Sequence, residues 1–244
     1  MHEFFSLNFS GPAFISLGSA HVGALLVIAW LNIALATSSQ ASRGTHRRIR
    51  VGLAVGLWLA EASWQVWNVA MGTWSVQTML PLNFCSALIW LCGIMLLRRN
   101  YAIYEFAYFL GIGGALQYLA TPDLGPYGFP HFRFFQTFAS HGLLLTAPIY
   151  MTLAEGFRPT WRSFRRVVVF ANIYVIVVFG VNLALGSNYL MLRAKPATPS
   201  LLDVLPDWPY YILGMELIGL LSCLVLYLPF ILVDRNRSLR MPAH

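Results

Sequence analysis

Residues 165–186 read RRVVVFANIYVIVVFGVNLALG, and their only charges are the two leading arginines. At 1.5 Å per residue, a helix of this length runs roughly 33 Å, enough to cross a hydrocarbon core of about 30 Å. Only helices and closed barrels satisfy every backbone polar group in lipid. The run is too long and too unbroken for an alternating barrel strand. It predicts a transmembrane helix.

The same signature recurs on both sides of it. Apolar runs at 19–36, 50–72, 79–97, 101–120, 133–154 and 208–233 give six more helices of comparable length. The composition leaves little room for another class. The chain is 58% hydrophobic and 10% charged, whereas soluble domains carry roughly 25% charged residues and need them for a hydrated shell. The expected fold is an all-α bundle of seven transmembrane helices, one membrane domain spanning residues 1–244. Met1 to Gly18 has no Lys or Arg, so no cleavable signal peptide is expected.

Charge placement orients the bundle. Arg43, Arg47, Arg48 and Arg50 precede or open the second run, Arg98 and Arg99 follow the third, and Arg158, Arg162, Arg165 and Arg166 precede the sixth. With Arg235, Arg237 and Arg240 in the tail, these 13 residues fall on one side, against Arg133, Arg193 and Lys195 on the other. By the positive-inside rule the crowded side is cytoplasmic. The N-terminus is then outside, the C-terminus is cytoplasmic, and the protein sits in the cell membrane. The two richest linkers, TPDLGPYGFPH (121–131) and the stretch 187–207 with Pro196, Pro199 and Pro206, fall outside and should be ordered caps. The longer one is expected over the mouth of a cavity, with Arg193 or Lys195 turned towards it.

Polar residues inside a bilayer are costly and usually have a reason. Glu61, Gln65 and Asn68 share one face of the second helix, and Arg133, Gln136, Thr137, Ser140 and His141 form a stripe on the fifth. Converted to depth, Cys85, His141 and Glu216 fall roughly 9–12 Å below the outer surface, with Asn68, Gln117 and Asn182 shallower. The polar groups thus gather in the outer half, which predicts a polar cavity there. Taken singly, Asn172, Asn182 and Gln117 read more readily as interhelical hydrogen-bond glue. Cys92 and Cys223 read as packing residues. The three cysteines lie inside apolar runs, with no disulfide framework or zinc spacing, so neither metal nor cofactor is expected.

Six stretches carry a family likeness: PLNFCS (81–86), TPDL (121–124), FPHFRFFQTFASHG (129–142), EGFRPTWRS (155–163), NYLMLRAKPATPSLLD (188–203) and WPYYILGMEL (208–217). The chain resembles the YwaF-like family of bacterial integral membrane proteins, related to the eukaryotic transmembrane protein 164. The likeness runs from about residue 50 to 230. It implies a phospholipid acyltransferase with a cysteine nucleophile, which falls on Cys85. Where the family more often has His, this chain has Asn83.

Two function classes follow. One is an enzyme, an acyltransferase or lipid hydrolase acting on membrane phospholipid. Cys85 would be its nucleophile, His141 its base and Glu216 the group orienting the imidazole. Arg133, Arg193 and Lys195 would hold a lipid phosphate, and Asn68 or Gln136 would face an oxyanion. Glu61, Gln65, Asn83, Gln117, His131, Asn182 and Asn188 complete the expected binding set. The alternative is a non-catalytic transporter or binding protein, proton-coupled or for a small solute, using the same pocket. Membrane lipids are the expected partners in the first reading, and nucleic acid in neither.

Overall fold

The computed structural model describes residues 3–196 and 201–240. Among them the only regular secondary structure is helix, with no strand. Seven long helices follow the chain: α1 (Ser19–Ala36), α2 (Arg43–Ala70), α3 (Phe84–Arg98), α4 (residues 101–120), α5 (Phe132–Leu153), α6 (Trp161–Leu185) and α7 (Tyr211–Arg240). Helix α4 is continuous but not uniform. Tyr101–Phe106 is α-helical, Ala107–Gly111 makes one π-helical turn, and Ile112–Ala120 resumes the α-helix. By length and composition α1, α6 and α7 could each cross a membrane.

The helix ends follow local chemistry. Ser42 caps α2 by accepting the Thr45 N–H at 3.2 Å. The helix therefore begins seven residues before the expected boundary, and Arg43, Arg47, Arg48 and Arg50 ride on its first two turns rather than in a loop. Helix α3 starts five residues later than expected, because Pro81 and Asn83 hold residues 79–83 in a turn that Asn83 ends as the N-cap. Thr160 and Ser163 close a reciprocal capping box on α6. That helix ends at Gly186, whose φ of 67° suits a residue without a Cβ.

Helix α5 is the hub. It packs against α1, α2, α3 and α4, and from Phe134 to Met151 it is largely buried. Helices α6 and α7 lie outside this group against α4, and show long apolar faces such as Val169, Ile176, Leu217 and Val225. Such an outward apolar surface is what lipid contact requires. Small residues allow close approach at the α2–α3 seam: a Cβ on Gly93 would sit 2.2 Å from Trp58 Nε1.

One end of the bundle carries the arginine clusters and the other the long linkers. At the arginine-rich end, Glu155 is buried and shared by Arg50 and Arg99. Nearby Glu105 accepts from Ser163 Oγ at 2.7 Å and from Arg166 at 2.6 Å. At the loop-rich end, residues 3–18 fold back as a strap. Trp67 Nε1 donates to the Phe5 carbonyl at 2.9 Å, His131 Nε2 to that of Ser6 at 3.0 Å, and Tyr127 Oη to that of Leu7 at 3.2 Å.

Candidate functional site

The site is built from four helices at the loop-rich end. Cys85 is the second residue of α3, in its first turn and partly buried. The first N–H groups of a helix lack intrahelical acceptors and its dipole is positive there, so this position stabilises negative charge. The sulfur lies against Gly114 of α4, 3.2 Å from the point a Cβ would occupy. One turn further along α4, the Tyr118 ring stacks on the His141 imidazole, with centroids 4.0 Å apart and planes 12° from parallel. Adjacent turns of α4 thus carry the contact with the thiol and the contact with the imidazole. Cys85 also lies within Coulombic reach of both Glu61 and Tyr118.

The histidines at this end differ in how their nitrogens are used. His21 accepts the Leu17 N–H at Nδ1 and donates from Nε2 to the Leu119 carbonyl. His131, the α5 N-cap, accepts the Arg133 N–H at Nδ1 and donates from Nε2 to Ser6. Both are fully engaged, and burial lowers the pKa of His131, holding it neutral. His141 is different. Its Nδ1 lies 3.1 Å from the Thr137 carbonyl, which can only accept, so Nδ1 carries the proton. Nε2 is then a free lone pair with no hydrogen-bond partner among the described residues. This is the tautomer a general base requires.

A polar rim surrounds the pair. Arg133 lies 3.9 Å over the Trp64 ring and donates to Gln136 Oε1 at 2.5 Å, with the Tyr118 hydroxyl at 3.5 Å. Gln136 Nε2 continues to the Ala60 carbonyl at 3.3 Å. Glu61, buried one residue on, takes a hydrogen bond from Gln65 at 3.3 Å, and Gln65 accepts from Trp74 Nε1 at 2.8 Å. No direct ion pair joins Glu61 and Arg133; Gln136, which accepts from Arg133, reaches the Ala60 carbonyl beside Glu61. Glu61, Gln65, Cys85, Arg133, Gln136 and His141 are therefore brought together.

The other expected residues are placed elsewhere or already engaged. Glu216 is exposed on α7, with no hydrogen-bond or ion-pair partner among the described residues. It does not orient His141; the Thr137 carbonyl does that. Gln117 is exposed on α4. Asn68 spends its amide on the Trp64 carbonyl and its oxygen on Thr73, closing the end of α2. Asn83 accepts the Leu190 N–H at 2.9 Å and ties the long linker to the start of α3. Asn182 binds Ser187 and both backbone groups of Tyr189, and Asn188 staples residues 193 and 194.

The basic residues of the 187–207 linker do not turn towards a cavity. Arg193 donates to the Asn182 and Ser187 carbonyls at the end of α6. Lys195 donates to the Leu205 carbonyl at 2.8 Å, with Asp207 at 3.9 Å. Exposed backbone carbonyls at a helix end are strong local acceptors, and they capture these side chains. The linker does reach the start of α3, through Asn83 and through Tyr189, whose hydroxyl takes the Leu80 N–H at 2.9 Å. Pro199 lies outside the described residues.

Gly114 and Tyr118 were not among the expected site residues. The Gly113–Gly114 pair inside an apolar helix was the available signal, since a helical glycine often marks close approach. A family model described as the TMEM164 family matches residues 8–227. No curated protein and no solved structure matches the chain.

Proposed function

The chain belongs to the TMEM164 family of membrane proteins, and from that footing we propose that it is a thiol acyltransferase or lipid hydrolase acting on membrane phospholipid. The observation that carries the reading is His141: of His21, His131 and His141, the described histidines at the loop-rich end, it alone keeps an unengaged ring nitrogen.

In this reading His141 Nε2 takes the thiol proton of Cys85, and the thiolate attacks an ester carbonyl of the phospholipid. The carbon–sulfur bond forms and the carbon–oxygen ester bond breaks. The proton passes from the imidazolium to the departing alkoxide, leaving an acyl thioester on Cys85 and a lysolipid. An incoming hydroxyl, from water or from a second lysolipid, gives its proton to Nε2 and displaces the thiolate. Hydrolysis and transfer differ only in that acceptor. The backbone N–H groups in the first turn of α3 are the oxyanion donors, since Asn68 and Gln136 are committed elsewhere. Arg133 is the headgroup contact.

The same proposal has all seven helices crossing the cell membrane, with the arginine-rich end in the cytoplasm and the site near the outer face. Engineered cysteines in residues 121–130 should label in intact cells. Labelling only after permeabilisation would reverse the orientation.

The enzymatic test uses the full chain in vesicles of phospholipid with a labelled acyl chain. Cys85→Ser and His141→Ala should each abolish acyl release and transfer, while His21→Gln, Cys92→Ser and Cys223→Ser keep most of it. Equal turnover for wild type and Cys85→Ser, with no thioester trapped on Cys85, sinks the proposal.

A further inference from the structure

A second polar site lies at the opposite end of the bundle. Between α2 and α3 is a cavity of about 180 Å³ lined by Arg47, Arg50, Val51, Leu96 and Leu97. Leu96 and Leu97 are 11 and 12 residues beyond Cys85 on α3, roughly 17 Å along the helix axis, so the cavity is no part of the thiol site.

Its walls differ in character. Arg47, Arg50 and Val51 sit at helical spacing on one face of α2. Arg47 is exposed and has no acidic partner among the described residues. Arg50 is largely buried and pairs through one terminal nitrogen with Glu155, but its Nε is buried without any acceptor. A buried guanidinium nitrogen with nothing to donate to is costly, and it points to an anion as the missing partner. Glu155 does not neutralise the site, because the same carboxylate also serves Arg99 at 3.0 Å, with His46 at 4.0 Å. Two guanidinium groups therefore share one carboxylate, and Arg47 beside them has none. The remaining wall is aliphatic: Leu96 is buried, while Val51 and Leu97 are 40% and 44% exposed and continue the outward apolar surface.

A charged pocket that opens onto an apolar surface fits an amphiphile. We propose that this cavity binds the phosphate of an anionic phospholipid, with Arg47 and Arg50 holding the phosphate oxygens and the acyl chains lying along Val51 and Leu97. Guanidinium groups make charge-assisted, often bidentate, hydrogen bonds to phosphate. Basic pockets between helices at a cytoplasmic membrane face recognise lipid headgroups in this way. A free phosphate ester would satisfy the arginines but gain nothing from the aliphatic wall.

The test is binding to the purified full chain in phosphatidylcholine nanodiscs, read by native mass spectrometry as lipid retained. Phosphatidylglycerol should be retained over phosphatidylcholine. Arg47→Ala should lower that retention about tenfold, the scale of one charge-assisted hydrogen bond, and Arg47→Lys should restore part of it. Arg48→Ala, exposed and outside the cavity, should change it far less. Arg47 makes no ion pair that holds the fold, so its loss leaves the protein intact, whereas Arg50→Ala would strand Glu155 and is not the primary variant. Equal retention of the two lipids overturns the proposal, as do equal losses from Arg47→Ala and Arg48→Ala. Inorganic phosphate competing as well as phosphatidylglycerol would assign the pocket to a soluble anion instead and overturn the lipid.

Discussion

Adding one methyl group at Gly114 reaches Cys85 and little else. The new Cβ would lie 3.2 Å from the sulfur, with no other atom within 4 Å outside the helix's own backbone. Ordinary non-bonded contact needs roughly 3.5–4.0 Å, so the thiol must retreat by about half an ångström. Overpacking of this kind costs about 1–3 kcal/mol, while replacing a helical glycine by alanine returns about 0.5–1 kcal/mol. Gly114→Ala should therefore lower stability by no more than about 2.5 kcal/mol. Reactivity should suffer more, since a misplacement of about 1 Å can cost ~100-fold; a fall of about tenfold is expected for half that shift. Gly113→Ala is the matched control, because its nearest neighbours are Leu226 Cδ1 at 3.9 Å and Ser222 Cβ at 4.0 Å. The assay is the rate of Cys85 labelling by an acyl-mimetic thiol probe, in a Cys92→Ser/Cys223→Ser background, beside a thermal melt in detergent. If Gly114→Ala labels as fast as Gly113→Ala, the thiol is not held against α4 and the assembly of the site described above is wrong.

Three further outcomes are expected. Asn182→Ala removes three hydrogen bonds from a fully buried site and should cost about 3 kcal/mol, measured by denaturant or thermal unfolding; a loss below about 0.5 kcal/mol would show that the linker is held by its apolar contacts alone. Gly93→Ala drives a methyl group into Trp58 Nε1 and should cost about 1–3 kcal/mol, with a shifted tryptophan emission spectrum; a normal melt and spectrum would contradict the tight α2–α3 seam. His131, with its pKa lowered from 6.5, favours the neutral form in the folded state, so its contribution is complete above pH 6.5 and declines as the pH falls towards the folded pKa. Proteolysis of the 3–18 strap should then speed up on acidification, and His131→Gln should flatten that dependence.

The helices were legible because lipid imposes a length and a composition, and both show in runs such as 165–186. Boundaries were legible only where apolarity and helicity end together. They do not at α2, where Arg43 to Arg50 are polar yet helical. The core of the candidate site was legible through stripes: Glu61 with Gln65, and Arg133 with Gln136 and His141, each share a helix face. What depth along a helix could not give was azimuth. Cys85, His141 and Glu216 were matched in depth, but Glu216 lies on an outer helix with its carboxylate exposed. Arg193 and Lys195 were misread because sequence distance conceals the backbone carbonyls that a folded linker presents to them. Nothing in the sequence separates Tyr118 from the aromatic residues that line a membrane interface near helix ends.

The π-helical turn at Ala107–Gly111 sets the phase of everything after it. A single π turn accommodates one extra residue, so the two halves of α4 keep the angular relation of a helix one residue shorter. One residue of α-helix is about 100° of rotation. Deleting a residue inside 107–111 should therefore straighten the helix and leave Gly114 and Tyr118 facing Cys85 and His141. Deleting Ala115 instead would swing Tyr118 through about 100° and separate it from the imidazole. The turn is a slack point in the reading frame of the helix. It marks where this chain can gain or lose a residue without dismantling its site, and where chains of different length can still superimpose.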